Sequence, residues 1–216
     1  MSTILLNEIS EKLQRGKAKD VAALVEQALA EGIAPESILN DGLVVGMNVI
    51  GDKFRENQVF VPEVLVAARA MNAGLKILKP ALAGAGVEPL GTAVICTVKG
   101  DMHDIGKNLV KMMIEGQGIA CIDLGVDVDP EIIVETVKSN DVQLVCLSAL
   151  LTTTMHGQKD VIDALCAANL RDKVRVMVGG APVTQAYAAE IGADCYTLDA
   201  ASAAKEAVRL IREMRA

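Results

Sequence analysis

The chain of 216 residues contains no tryptophan, two tyrosines, two phenylalanines and two histidines. Stacking platforms for bases are therefore nearly absent. Lysine and arginine (21) are outnumbered by aspartate and glutamate (28), and no basic run stands out, so a nucleic-acid partner is excluded. No apolar run approaches the roughly 18–20 residues that span a bilayer, which argues against a membrane role. The first residues carry no basic-then-apolar pattern, and the expected location is cytoplasmic. The five cysteines (Cys96, Cys121, Cys146, Cys166, Cys195) stand singly in apolar runs or on helix faces, without a C-x-x-C pair. Zinc and iron–sulfur sites are disfavoured on that spacing, and small buried hydrophobes are the expected role.

What is present divides into two patterns. Residues 1–80 read as four helices. Leu5, Ile9 and Leu13 recur every fourth residue, and Val21 to Ala30 forms a second, alanine-rich segment. Pro35 can open a third helix, carrying Leu43, Met47, Ile50 and Phe54. A fourth is started by Pro62 and followed by Pro80, with Val64, Ala68, Met71, Leu75 and Leu78 along it. One apolar stripe per helix predicts a small antiparallel bundle. Residues 81–91 lose the stripe and concentrate glycine and proline, as a linker does. From 92 to 216, apolar runs near 93–98, 119–124, 142–148, 174–178 and 194–198 alternate with helical patterns near 105–116, 130–139, 155–168, 183–190 and 200–214. That alternation predicts an α/β domain, a flavodoxin-like, Rossmann-type doubly wound five-stranded parallel sheet.

The chemistry concentrates in Lys99-Gly100-Asp101-Met102-His103-Asp104-Ile105-Gly106, a loop between the first predicted strand and its helix. Open α/β sheets place ligands at such strand ends. An imidazole beside carboxylates can ligate a metal through one nitrogen while the other donates to a carboxylate. Alone, the pair is equally an ordinary loop hydrogen bond. Two further motifs follow: Ser148-Ala149-Leu150 after 41 intervening residues from Gly106, and Gly179-Gly180 after 28 more.

Asp-x-His-x-x-Gly, Ser-x-Leu and Gly-Gly in this order resemble the signature of cobalamin-binding domains. There the corrinoid's own base is displaced and a histidine replaces it on cobalt. Gly51 to Glu63, with Gly-x-x-Phe leading into Phe60-Val61-Pro62, resembles the helical cap that precedes this domain in methionine synthase and in corrinoid methyl carriers. The resemblance implies that His103 is the axial ligand, that Asp101 orients it and that Thr154 completes the relay. It also implies a cofactor-binding set of Gly100, Asp101, Met102, His103, Asp104, Ile105, Gly106, Ser148, Leu150, Thr152, Thr154, Gly179, Gly180 and Ala181. Asp104 is a candidate helix cap as well, Thr153 reads as no more than a helix approach, and His156 lies outside the motif. Phe60, with Val61, Val64 and Val66, is a candidate to cover the upper corrin face, or equally a core aromatic of the bundle.

The implied cofactor is cobalamin or a related cobamide, as methylcobalamin cycling between Co(I) and methyl-Co(III). The implied function is a methyl carrier of anaerobic methyltransferase systems rather than a complete enzyme. One methyltransferase loads it from an aryl methyl ether, methylamine or betaine, and a second unloads it to tetrahydrofolate or a thiol coenzyme. A reductive activase is a further implied partner. The cobalamin subunit of a carbon-skeleton mutase shares the histidine motif but usually lacks a cap. Cobalamin-dependent sensors have a cap but also an output module, and tend to place a tryptophan over the corrin.

Overall fold

The computed structural model describes residues 2–215 and divides into two compact units. One takes in the chain through Pro89 together with Gly116–Gly118; the other takes in Leu90–Glu115 and the chain from Ile119 onward.

The first unit is helical: α1 (Ser2–Gln14), α2 (Ala18–Ala30), a single turn α3 (Pro35–Ser37), a π-helical segment at Ile38–Val44, α4 (Val45–Arg55) and α5 (Val61–Gly84). The predicted stripes face inward. Ile9, Leu13, Val21, Val25, Leu43, Met47, Ile50, Val64, Ala68, Met71 and Leu78 are all buried. Truncating any one of the large side chains among these to alanine costs about 2–5 kcal/mol, because the cavity adds to the lost transfer term. At Gly46 a Cβ would lie 3.0 Å from the Ser10 carbonyl oxygen, so glycine is what permits α4 to approach α1 this closely.

Two expectations change here. Pro80 lies inside α5, and residues 81–84 are helical rather than part of a linker. Proline's fixed φ suits a helix, and its cost, a missing amide hydrogen bond and the crowding of its ring against the carbonyl one turn back, is outweighed by the buried face of α5. Val64 belongs to the buried stripe and is withdrawn from the cap-face candidates, whereas Phe60 is 65% exposed and is no core aromatic. Phe60 precedes α5, where the Glu63 carboxylate accepts its backbone N–H at 3.0 Å, as a residue at the third helical position does in a capping arrangement. Leu65 and Val66 are exposed beside it in sequence.

The second unit is a five-stranded sheet, all parallel: β1 (Thr92–Val98), β2 (Ala120–Val128), β3 (Leu144–Ser148), β4 (Arg175–Gly179) and β5 (Cys195–Tyr196), in the order β2-β1-β3-β4-β5. Helices α6 (Ile105–Glu115), α7 (Pro130–Ser139), α8 (His156–Ala167), α9 (Gln185–Ile191) and α10 (Ala200–Arg215) alternate with the strands. Val94, Cys96, Val145, Leu147, Val176 and Val178 meet α7, α8 and α9 on one face. Helices α6 and α10 pack together on the other. Strand order reverses between β1 and β3, which puts the loops after these two strands on either side of one crevice at the carboxyl edge.

Lys107, on the first turns of α6 and 3% exposed, ties that helix to β2: its ammonium lies 2.6 Å from the Asp123 carboxylate and 2.7 Å from Asn108 Oδ1. Burial acts to raise the Asp123 pKa, but Lys107, the Gly125 amide and Lys111 together hold it below the usual range.

The cysteines are free thiols. Burial pushes Cys96 and Cys121 up to about 12, and Cys146 well above its ordinary value. Iodoacetamide at pH 8 should therefore label the exposed Cys166 in the native protein. Cys96 and Cys146 should react only after denaturation, as peptide mass mapping would show.

Candidate functional site

The β1–α6 loop turns at Gly100, whose φ of +81° is open to glycine without strain. The turn drops Asp101 into the crevice, where it is fully buried. A carboxylate out of water must be paired or well hydrogen-bonded, and here four donors converge on it. Oδ1 accepts the backbone N–H of His103 at 3.1 Å and its ring Nδ1 at 2.7 Å. Oδ2 accepts the Leu150 N–H at 2.7 Å and the Thr154 hydroxyl at 2.7 Å. Burial raises the Asp101 pKa, but the Leu150, Thr154 and His103 hydrogen bonds outweigh it and hold the carboxyl well below the usual carboxylate range. An ionised Asp101 can only accept, so His103 carries its proton on Nδ1. In the neutral ring Nε2 is then the lone-pair donor, on a side chain that is half exposed.

The surroundings brace this arrangement. Thr97, buried near the end of β1, donates its hydroxyl to the His103 carbonyl at 2.8 Å. Asp127, at the end of β2, accepts the Gly100 N–H at 2.8 Å and donates its own N–H to the Asp101 carbonyl at 3.0 Å. Lys99 lies 3.6 Å from Asp127 and 3.1 Å from Asp129. Gln158, fully buried on α8, donates through Nε2 to the carbonyls of Leu147 (3.1 Å) and Gly179 (3.0 Å), joining the ends of β3 and β4. Its Oε1 is buried and accepts no hydrogen bond among the described residues.

Of the residues singled out from the sequence, Asp101, His103, Leu150 and Thr154 share one hydrogen-bonded cluster. Met102, Ile105, Leu150 and Leu151 are exposed apolar side chains along the same two loops, and Gly106 lies open on the first turn of α6. Ser148 ends β3, paired with Thr97 on one side and Gly179 on the other. Gly180 follows with φ +127°, and any Cβ there would run into the Ala149 carbonyl oxygen. Ala181 and Thr152 are exposed and outside the Asp101 cluster. Asp104 does not cap α6 through its side chain; its carboxylate accepts the Asn108 amide at 3.0 Å instead. Nor does a threonine cap α8, which starts at His156 after Met155 without a side-chain cap. The pull of the buried Asp101 carboxylate claims the Thr154 hydroxyl.

Thr97, Asp127 and Gln158 were not foreseen. A threonine in a strand reads as a strand former, and a lone glutamine reads as a helix surface residue. The one signal for Thr97 is its place inside the continuous apolar run 93–98, which predicts a buried hydroxyl but not its partner.

Comparison with known proteins gives three concordant results. Residues 91–209 match the B12 binding domain family, and residues 5–79 match a second family of the same description. The chain is 43% identical over 207 residues to dimethylamine corrinoid protein 3 of Methanosarcina acetivorans, covering 96% of this chain and 97% of that one. It is 42% identical to monomethylamine corrinoid protein 1 of the same organism, over 95% and 98% of the two chains. Among solved structures it resembles the methanol:cobalamin methyltransferase complex MtaBC of Methanosarcina barkeri. The TM-score is 0.85 at 32% identity, with 96% of this chain and 80% of that chain covered.

Two predictions follow from this geometry. A carboxylate with a lowered pKa contributes stability that is complete above the unfolded value, about 3.9, and is lost as pH falls through the lowered folded value. Acid titration of Asp101→Asn should therefore show a shallower loss of stability below about pH 4 than wild type, measured by urea unfolding at stepped pH. Gly180→Ala meets both a forbidden φ and the Ala149 carbonyl, and should lose about 3 kcal/mol in the same assay.

Proposed function

This chain belongs to the B12 binding domain family, and from that premise we propose that it is a methyl-carrying corrinoid protein serving methylamines, with His103 as the axial ligand of cobalt. The single observation that carries the ligand assignment is the commitment of Nδ1 to the buried, ionised Asp101, which leaves Nε2 as the ring's uncommitted nitrogen on a half-exposed side chain.

The donor set fits a corrinoid. Among the described residues no cluster of three or more histidine, cysteine, aspartate or glutamate side chains could hold a metal ion by itself. One neutral imidazole suits a metal that brings its own equatorial nitrogens and needs a borderline axial donor. Exposed Met102 (69%), Ile105 (77%), Leu150 (41%) and Leu151 (43%) give the same loops an apolar surface suited to a flat macrocycle. The side-chain-free Gly179-Gly180 turn, packed against the Ala149 carbonyl, and the spare acceptor on Gln158 lie near the ends of β3 and β4, where a polar tail could run. When bound, the cofactor supplies a cobalt centre that accepts a methyl group and gives it up again.

The protein's own part is to bind, orient and hold a proton. Asp101 keeps the proton on His103 Nδ1 and fixes the ring plane, and Thr154 and the Leu150 amide keep Asp101 charged. Ser148, Thr152, Gly179, Gly180 and Ala181 are the proposed contacts for the rest of the corrinoid, and the half-buried Val61 with the exposed Phe60, Leu65 and Val66 are the residues of the helical unit proposed to cover it. Residues 85–91 form the proposed linker between a cap and a corrinoid domain. A methyltransferase is the working partner, in keeping with the complex in which the solved relative was captured. The methylamine assignment rests on the relatives at 42–43% identity across nearly the whole chain. A thiol coenzyme or tetrahydrofolate is the proposed acceptor, reached through a second methyltransferase, with a reductive activase to recover oxidised cobalt.

The test is an absorbance spectrum of the protein reconstituted with methylcobalamin. Wild type should show nitrogen-ligated cobalt, and His103→Ala should show the base-off form at similar occupancy. Failure of wild type to take up corrinoid would overturn the cofactor reading. An unchanged spectrum in the variant would remove His103 from cobalt. The reduced, cobalt-loaded protein should then be methylated from dimethylamine or monomethylamine by a methyltransferase specific for that amine. Methylation by a methanol-specific enzyme alone would overturn the donor assignment.

A further inference from the structure

Every polar group of His103 but one is anchored. Asp101 takes the backbone N–H and Nδ1, and the carbonyl oxygen accepts the Thr97 hydroxyl at 2.8 Å. Helix α6 does not use that carbonyl, since its first amide bond runs from Asn108 N–H to the Asp104 oxygen, one residue further on. Thr97 is itself immobile. It is fully buried on β1, paired with Ser148 of β3, and its β-branched side chain has few rotamers open to it in a strand. Its hydroxyl therefore reaches the loop from the rigid floor of the sheet, whereas both Asp101 contacts come from within the loop.

We propose that Thr97 is a positioning residue for the axial histidine: by pinning the His103 carbonyl to β1 it holds the imidazole ready for cobalt, so that no backbone ordering is needed at the moment of ligation. The proposal rests on the reading of His103 as axial ligand. Without the hydroxyl, His103 is tied to the sheet only indirectly, through Asp101 and its bonds to Asp127, Leu150 and Thr154, and the carbonyl side of its peptide loses its anchor. Ligation must then order one backbone residue, which weakens it about fivefold.

The experiment titrates cyanide into protein loaded with cyanocobalamin at fixed pH and follows the purple dicyano form, which appears as cyanide displaces the lower ligand. In Thr97→Val, which keeps the volume and removes the donor, the half-conversion concentration should fall about fivefold. Thr97→Ser, which keeps the hydroxyl, should titrate like wild type. Ile95→Val, two residues earlier on the same face of β1 and 2% exposed, trims the core without touching a hydrogen bond. It should lower the melting temperature and leave the cyanide midpoint in place. If Thr97→Val is recovered unfolded, Thr97→Ala makes the same deletion. A wild-type midpoint in the valine or alanine variant, or an equal shift in Ile95→Val, would overturn the proposal. If His103→Ala also titrates like wild type, the axial-ligand reading itself falls, and this proposal falls with it.

Discussion

A single carboxylate with no exposure to solvent organises the ligand edge of the α/β unit. Left alone in the crevice, Asp101 would neutralise or open the structure to water, because desolvating an unpaired charge costs more than a loop can return. Four donors arrayed on its two oxygens reverse that balance. Much else near the site reads as a consequence. The left-handed turn at Gly100 brings the carboxyl inward, Asp127 braces that turn, the Thr154 hydroxyl is drawn away from any capping role, and the tautomer of His103 is settled.

The parallel sheet explains why the donors can converge. In the order β2-β1-β3-β4-β5, β1 is flanked by β2 and β3, and all three release their loops at the same edge. The loop after β1 carries Asp101 and His103, that after β3 carries Leu150 and Thr154, and the last turn of β2 carries Asp127. Further along, Gln158 joins the ends of β3 and β4, and Gly180 passes against the Ala149 carbonyl where no side chain would fit. The helical unit offers a different kind of surface. Its stripes are spent on its own core, and of the large apolar residues left exposed, Phe60, Leu65 and Val66 cluster in sequence around the start of α5, apart from Ile4 and Val45.

Much of this was legible in the sequence because two periodicities carried it. Alternating threes and fours picked out the buried stripes of α1, α4 and α5, and short β-branched runs picked out all five strands within a few residues. Asp101, His103 and Thr154 were singled out through the resemblance that the motif order and spacing carried, and the structure brings the three side chains together. What escaped has identifiable physical causes. Pro80 reads as a stop, although a helix with a buried face tolerates the loss of one backbone hydrogen bond. Val64 and Phe60 are both apolar, and only the helix pitch decides that one faces in and the other out. Strand β5 is only Cys195–Tyr196, paired with Met177 and Val178 of β4, shorter than the 194–198 run expected. Thr97 and Gln158 act through backbone carbonyls, and carbonyls leave no mark on a sequence.

The donors to Asp101 also divide by distance along the chain. His103 lies two residues away and can meet the carboxylate in the isolated loop, whereas Leu150 and Thr154 stand 49 and 53 residues downstream. Closing the first contact costs little loop entropy; the other two wait on the docking of β3 beside β1. A folding chain thus acquires the histidine–aspartate pair early and the full complement of donors late. Until β3 arrives, the carboxylate keeps its water, and the loop is a hydrated turn that happens to contain an imidazole. The full set of donors to Asp101 is in this sense a record that the centre of the sheet has closed.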